Sequence, residues 1–309
     1  MSIVIFNANA GQKRRGPTPP VTEETLRDLL DRHAIAARIV TTESVEDATR
    51  TVHEAIEAGH ETIIAAGGDG TIGQVATELL GTGNTNIALG MIPLGSVMNV
   101  PRMVGVPRDL DAAAAVLAEG RTRLIDVGEA VSGAKSVTFY ETASVGMNAA
   151  MFGAAQHFED GDWGSPLRVL AVAFRYRPAR MVVEMDDQSI TTRALMVTIS
   201  NGAYMGVAMT VAPDARLDDG RFDVRVFRHF SKLELVRHLA SIAFGRRRYS
   251  PHVSTYRSAR VRVTSSSPLP CRADSHDLGI TPLECVSKHR VLRVVVGPDF
   301  ADGNAVPPE

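Results

Sequence analysis

Thr62-Ile63-Ile64-Ala65-Ala66-Gly67-Gly68-Asp69-Gly70-Thr71 is the stretch on which the fold turns. Its apolar first half predicts a buried strand. The segment after it, Ile72-Gly73-Gln74-Val75-Ala76-Thr77-Glu78-Leu79-Leu80, predicts a helix. A glycine-rich turn between strand and helix lets backbone N–H groups approach an anion, and the helix N-terminus favours negative charge there. Asp69 alone would repel a phosphate. It fits beside phosphates when a divalent cation lies between them. A tight turn with an exposed acid is the plainer alternative. The order of strand, glycines, acid, hydroxyl and helix favours a bound nucleotide. No Gly-Lys-Ser/Thr follows, so this is not a P-loop.

Outward from the turn, strand and helix alternate. Strands are predicted at 3–7, 37–42, 62–66 and 87–92. Helices are predicted over 22–37, where Leu26, Leu29 and Leu30 recur at helical spacing, and from Ser44-Val45-Glu46-Asp47, which resembles a capping box, to a stop at Gly59. An alanine-rich helix follows at 109–117. Such alternation argues a parallel sheet with helices on both faces. Past residue 124 the pattern becomes strand-like runs at 124–131, 136–144, 181–185, 194–200, 222–227, 259–264 and 291–296. Two helical stretches interrupt them, at about 166–175 and 232–244. The expected architecture is an α/β N-terminal domain over 1–130 and a mainly antiparallel β-sandwich C-terminal domain over 131–300. The last strand is free to return to the first domain, and 301–309 is an expected disordered tail.

A chain of 309 residues has room for two cores. A formal net charge of -2 argues against a nucleic-acid-binding field. Cys271 and Cys285 are too few for a disulfide scaffold and suit two buried apolar positions. No run of about 18 apolar residues appears, and the start of the chain lacks the shape of a signal peptide. A cytoplasmic protein is expected, one that would meet any lipid substrate at the inner membrane face as a peripheral protein.

The glycine turn resembles the nucleotide motif shared by diacylglycerol kinases, sphingosine kinases and NAD kinases. Bacterial diacylglycerol kinase-like lipid kinases resemble this chain over nearly its whole length. Their first loop, Asn-Pro-x-x-Gly, corresponds to Asn7-Ala8-Asn9-Ala10-Gly11, with Ala8 in place of proline. Thr42 stands where the family has a nucleotide-contacting threonine. Gly73 and Gln74 replace an Asn-Glu pair. The block from Ile92 to Arg102 is similar to Pro-x-Gly-Thr-x-Asn-Asp-x-x-Arg. Ser96 keeps the hydroxyl there, whereas Met98 and Asn99 replace Asn and Asp.

The resemblance implies ATP and Mg2+. Asn7, Ala8, Asn9, Ala10, Gly11, Thr42, Gly67, Gly68, Asp69, Gly70, Thr71, Gly73, Gln74 and Ser96 would bind the nucleotide. Asp69 and Asp126 would hold a water-coordinated ion. In the loop Ala212 to Phe222, Asp219 with the backbone carbonyls of Arg216 and Arg221 would hold a structural magnesium. On the residues alone, that loop is an Asp-Gly hairpin turn. The family's terminal Asp-Gly-Glu corresponds to Asp274-Ser275-His276, so Asp274 is expected as proton acceptor, with His276 beside it.

Lys13, Arg14 and Arg15 could add positive charge near the phosphates, or form a solvated basic loop. An apolar acceptor channel is expected from Met147, Met151, Phe152, Leu167, Leu170, Val172 and Phe174, residues that could equally fill a core. Arg246, Arg247 and Arg248 suit anionic headgroups. The leading reading is an ATP-dependent lipid kinase acting on a hydroxyl of diacylglycerol or a related lipid. A homodimer is compatible with it. The alternatives are a nucleotide-binding regulator that has lost turnover and, with less support, an NAD kinase.

Overall fold

The computed structural model describes residues 2–8, 21–155, 175–206, 209–228, 253–301 and 303. Asn9, Ala10, Gly11 and Lys13 to Arg15 lie outside the described residues. So do nearly all of the expected helix at 166–175, the one at 232–244, Arg246 to Arg248, and the tail beyond Gly303.

The first part of the chain forms β1 (Ser2–Asn7), α1 (Glu23–Arg32), β2 (Ala37–Thr42), α2 (Val45–Glu57), β3 (Thr62–Gly67), α3 (Asp69–Gly81), β4 (Ala88–Pro93), α4 (Asn99–Met103) and α5 (Leu110–Glu119). There follow β5 (Thr122–Ser132), β6 (Lys135–Phe139), β7 (Thr142–Gly146), α6 (Met147–Ala155), β8 (Ala179–Met185), β9 (Ser189–Ala194), β10 (Met196–Ser200), β11 (Tyr204–Met205) and β12 (Met209–Thr210). The remainder is β13 (Phe222–Phe227), β14 (Val253–Ser258), β15 (Arg260–Ser265), β16 (Pro270–Ala273), β17 (His276–Ile280) and β18 (Leu283–Val295).

Strands β2, β1, β3 and β4 pair in parallel in that order, as the alternation predicts. Successive side chains of a strand face opposite sides. Ile3 and Ile5 accordingly join the core under α2 and α3, while Val4 and Phe6 join the one formed with Leu26, Leu29 and Leu30 of α1. Thr22, Ser44 and Asp109 cap α1, α2 and α5 through side-chain oxygens that accept N–H groups three residues on. Each such cap contributes about 1 kcal/mol. Helix α1 stops at Arg32, short of the expected 37, and Ala34 adopts a left-handed φ of 54° just after it.

The parallel sheet does not end at β4. Strand β18 lies parallel to β4 and antiparallel to both β5 and β15, so one ten-stranded sheet continues through β15, β8 and β9. A second, six-stranded antiparallel sheet runs β14-β13-β10-β7-β16-β17. The two sheets enclose an apolar core containing Phe139, Val183, Val197, Phe222, Val261 and Cys285, which is the expected sandwich.

Where the sequence suggests one strand over 136–144, the chain makes two, in different sheets. Strand β6 pairs with β5 in the first sheet, and β7 pairs with β10 and β16 in the second. Tyr140 and Glu141 form the corner between them. Beyond β18, Gly297 meets the end of α4: a Cβ there would lie 1.8 Å from the Gly105 carbonyl oxygen. Gly297→Ala is expected to lower stability by about 3 kcal/mol in urea unfolding, because backbone offers little room to yield.

Candidate active site

Helix α3 begins inside the glycine motif, three residues earlier than the sequence suggests. Its first bond runs from the Ile72 N–H to the Gly68 carbonyl (3.0 Å). Gly68 offers no capping side chain. Among the described residues, the N–H groups of Gly70 and Thr71 therefore precede the helical ladder with no intrahelical acceptor. Gly67 must be glycine for packing, since a Cβ would sit 2.5 Å from the Thr71 side chain. Gly70 has no such excuse: a Cβ on it would meet nothing within 4 Å.

Two cavities adjoin this turn. One, of about 580 Å³, is lined by Asn7, Thr42, Ser44, Gly68, Gly70 and Thr71 among others. The second, of about 510 Å³, lies between the two halves of the molecule, and Asp69, Gly73, Glu141, Asp274 and His276 are on its wall. Gly70 and Gln74 line both. The structure thus gathers Asn7, Thr42, the glycine turn, Gly73 and Gln74. The Asn7 amide donates to Thr71 Oγ1 (3.0 Å), tying the end of β1 to the first turn of α3. Gln74 donates to Thr49 Oγ1 (2.9 Å) and Glu78 Oε1 (2.7 Å). Ser96 is exposed and lines neither cavity; its carbonyl accepts from Arg108 (2.9 Å). Ala8 is half-buried beside the α1 core.

Asp69 accepts the N–H of Met98 (2.7 Å) and of Val100 (3.4 Å). It thereby holds the start of α4, where Met98 takes a left-handed φ of 59°. Burial pushes its carboxyl up, against the pull of these donors. Asp126 lies elsewhere. It is fully buried on β5, and its carboxylate accepts from the N–H groups of Gly220 (2.6 Å) and Arg290 (2.7 Å) and from His289 Nδ1 (2.9 Å). The two acids expected to share one ion do not line the same cleft. Asp219 accepts the Arg221 N–H (3.0 Å) and stands 3.8 Å from an Arg257 nitrogen. The first contact is that of an Asx turn, the plain reading of its sequence. Arg216 turns its guanidinium to Asp218.

Asp274 sits at the tip of the β16–β17 hairpin with a left-handed φ of 45°. Its carboxylate accepts three consecutive backbone N–H groups: Tyr140 (2.7 Å), Glu141 (3.1 Å) and Thr142 (3.0 Å). It supplies the corner between β6 and β7 with the acceptors that a sheet ladder would otherwise provide. Burial raises its carboxyl to about 6 despite these donors. His276, two residues on, is exposed on the same cleft wall. The hydroxyl of Tyr140 reaches Thr77 Oγ1 (3.0 Å) and the Gly73 carbonyl (3.3 Å), joining the corner to α3.

One cleft residue escapes the sequence reading. Glu141 accepts from the Asn99 amide at Oε2 (2.7 Å), and Asn99 also donates to the Gly206 carbonyl (2.8 Å). Burial, then the nearby Asp274 charge, push the Glu141 carboxyl well above the carboxylate range. The only sequence signal was an acid inside a run of strand-forming residues. Among the described residues, no three His, Cys, Asp or Glu side chains are placed to hold a metal ion directly. The cleft fits a hydrated cation instead: Asp69 has both oxygens on N–H donors and can still accept from a metal's water shell.

Comparison with known proteins agrees with this architecture. Residues 1–130 match the diacylglycerol kinase catalytic domain, and residues 142–296 match the YegS C-terminal NAD kinase beta sandwich-like domain. A diacylglycerol kinase of Bacillus subtilis (strain 168) is 25% identical over 97% of both chains. A probable lipid kinase YegS of Escherichia fergusonii is 30% identical over 66% of this chain and 70% of its own length. The crystal structure of a putative diacylglycerol kinase from Bacillus anthracis str. Sterne shares the fold, with a TM-score of 0.72 at 19% identity, covering 96% of this chain and 97% of that one. On these matches, the chain belongs to the family of diacylglycerol kinases and YegS-like lipid kinases, which are phosphotransferases.

Proposed function

We propose that this protein transfers the γ-phosphoryl group of ATP to a hydroxyl of diacylglycerol or a closely related lipid. The observation that carries the reading is Gly70. It borders both cavities, a side chain on it would meet only empty space, and it stands at an uncapped helix N-terminus. An ordinary helix gains from alanine over glycine at such a position, so the bare backbone there suits an approaching anion.

The nucleotide would lie along Asn7, Thr42 and the turn from Gly67 to Thr71, with its phosphates at the start of α3. Asn9, Ala10 and Gly11, which lie outside the described residues, would belong to the same nucleotide site. A magnesium ion, when bound, would neutralise charge developing on the phosphates. Asp69 would face its hydration shell, and Asp219 with the carbonyls of Arg216 and Arg221 would hold a structural ion in the second domain. Asp126 would support that loop through Gly220. Asp274 and His276 stand on the acceptor side. Met147 packs with Met196 and Phe227, with Met151 and Tyr176 against them, and this apolar cluster beside the β7 end would lead the acyl chains in. Among the described residues no helix is long and apolar enough to cross a membrane. A lipid acceptor would bring the protein to a membrane surface, on the cytoplasmic side.

Gly70→Val tests the reading. A valine at this exposed position is expected to leave the melting temperature within a few degrees of the parent and to weaken Mg-ATP binding by about 100-fold in calorimetry, since a lost phosphate cradle removes charge-assisted hydrogen bonds. Unchanged affinity in the folded variant would sink the nucleotide assignment.

A further inference from the structure

We infer that Glu141 is the group that takes the proton from the acceptor hydroxyl, and that Asn99 is its positioning residue; the inference rests on the phosphotransfer reading above. Four carboxylates line the cleft; Glu129 is paired with Lys288 (2.9 Å), and geometry separates the duties of the other three. Asp69 has both oxygens on the N–H groups of Met98 and Val100. Asp274 has both of its own on the N–H groups of 140, 141 and 142, which leaves it about one free lone-pair site of four. These two acids hold backbone.

Glu141 is held by backbone instead. Its own N–H is clamped by Asp274, so its side chain leaves the corner in a fixed direction. The Asn99 amide, itself buried and anchored on the Gly206 carbonyl, fixes the carboxylate at Oε2. A neutral amide orients a carboxylate with less loss of basicity than a guanidinium or ammonium would cause. The largest influences on Glu141 are burial, Asp274, the Asn99 amide, Asp69 and the Gly206 N–H, and none of these is a guanidinium or ammonium. The ionisable groups around it are Asp274 and His276 from the β16–β17 hairpin, Asp69 from α3, Glu129 from β5 with its partner Lys288 on β18, and Tyr140 at the corner. The dominant surroundings are anionic and dehydrated, and both raise the basicity of the carboxylate as a proton acceptor.

In the step, the acceptor oxygen forms a bond to the γ-phosphorus as the bond from that phosphorus to the β,γ-bridging oxygen breaks. The bonding pair leaves with ADP. The hydroxyl proton passes to Glu141, which becomes a neutral acid and later releases it to water. His276, exposed on the same wall, would orient the acceptor.

The test uses the full chain with γ-labelled Mg-ATP and phosphatidylglycerol vesicles containing diacylglycerol. Glu141→Gln keeps an oxygen for the Asn99 amide, and is expected to lower kcat by about 10²–10⁴-fold. Its Mg-ATP affinity should stay within about threefold of the parent's, because the lost interaction belongs to the transition state. Glu141→Asp should restore part of the rate. Asn99→Asp sets a second carboxylate against Glu141, and should move the acidic limb of the kcat profile to higher pH. Carboxyl 13C titration of the free parent should show one glutamate ionising above the ordinary range, and that resonance should be missing from Glu141→Gln. An active parent whose Glu141→Gln variant keeps kcat within a few-fold would overturn this assignment alone, as would a parent with no such resonance. An unmoved acidic limb in Asn99→Asp would remove Asn99 from the role. A parent that binds Mg-ATP yet phosphorylates no lipid would overturn the kinase reading and this inference together.

Discussion

Replacing Asp274 with Ala is expected to lower folding stability by roughly 3–6 kcal/mol, measured by urea unfolding, because three backbone N–H groups lose their acceptor together. Each is part of the turn at 140–142, where the chain leaves one sheet for the other. Alanine also tolerates the left-handed φ of 45° less well than aspartate does. Asp274→Asn keeps one oxygen and should lose much less, with its amide nitrogen turned against one N–H donor.

The two variants also separate by pH. Burial raises the Asp274 carboxyl from 3.8 to about 6, so its contribution to stability is fully present below 3.8 and is lost as pH rises through about 6. Asn cannot titrate. The deficit of Asp274→Asn relative to the parent should therefore shrink as pH rises between about 4 and 6. A deficit that widens over that interval would show that the ionised carboxylate is the better acceptor despite its burial.

Asp126→Ala should act as strongly, at a different place. The side chain is fully buried and joins three segments far apart in sequence: β5, the loop at Gly220, and the irregular middle of β18 at His289 and Arg290. Removing it orphans two backbone N–H groups and frees a histidine, for an expected loss of about 3–5 kcal/mol. Magnesium titration of the folded fraction discriminates the roles. If the parent and Asp126→Ala gain equally in melting temperature from added Mg2+, Asp126 serves the loop and holds no ion. A parent-only gain would return it to the ion.

The parallel half of the molecule was legible because its signals are local. Short apolar runs alternate with helical spacing, and Thr22, Ser44 and Asp109 mark helix starts by their own chemistry. The glycine turn was legible for the same reason. The corner at Tyr140 and Glu141 was not. Residues 136–144 carry strand formers throughout, and nothing in their period tells that the first part pairs with β5 and the second with β10 and β16. The deciding partner is a carboxylate more than 130 residues away, bonded to backbone atoms that every sequence has. Glu141 was hidden with it, since an acid in a strand-like run looks like a solvent-facing residue. Asp126 was visible as an acid near the domain boundary, whereas its donors come from a distant loop at Gly220 and from the middle of β18 and leave no trace in spacing.

Strand β18 gives the molecule an awkward birth. It occupies the middle of the large sheet, between β4 and β15, yet among the described residues it is the last strand in chain order and is made long after β4. Until it emerges, β4 presents an open flank that any extended segment could occupy. The nascent N-terminal half must wait, while every strand from β5 to β17 is made, for the segment that completes it. Long waits of this kind favour chaperone capture and slow final assembly. A circular permutant that begins at residue 283, joined by a linker to residue 2, would place this strand first and should acquire its structure sooner during synthesis.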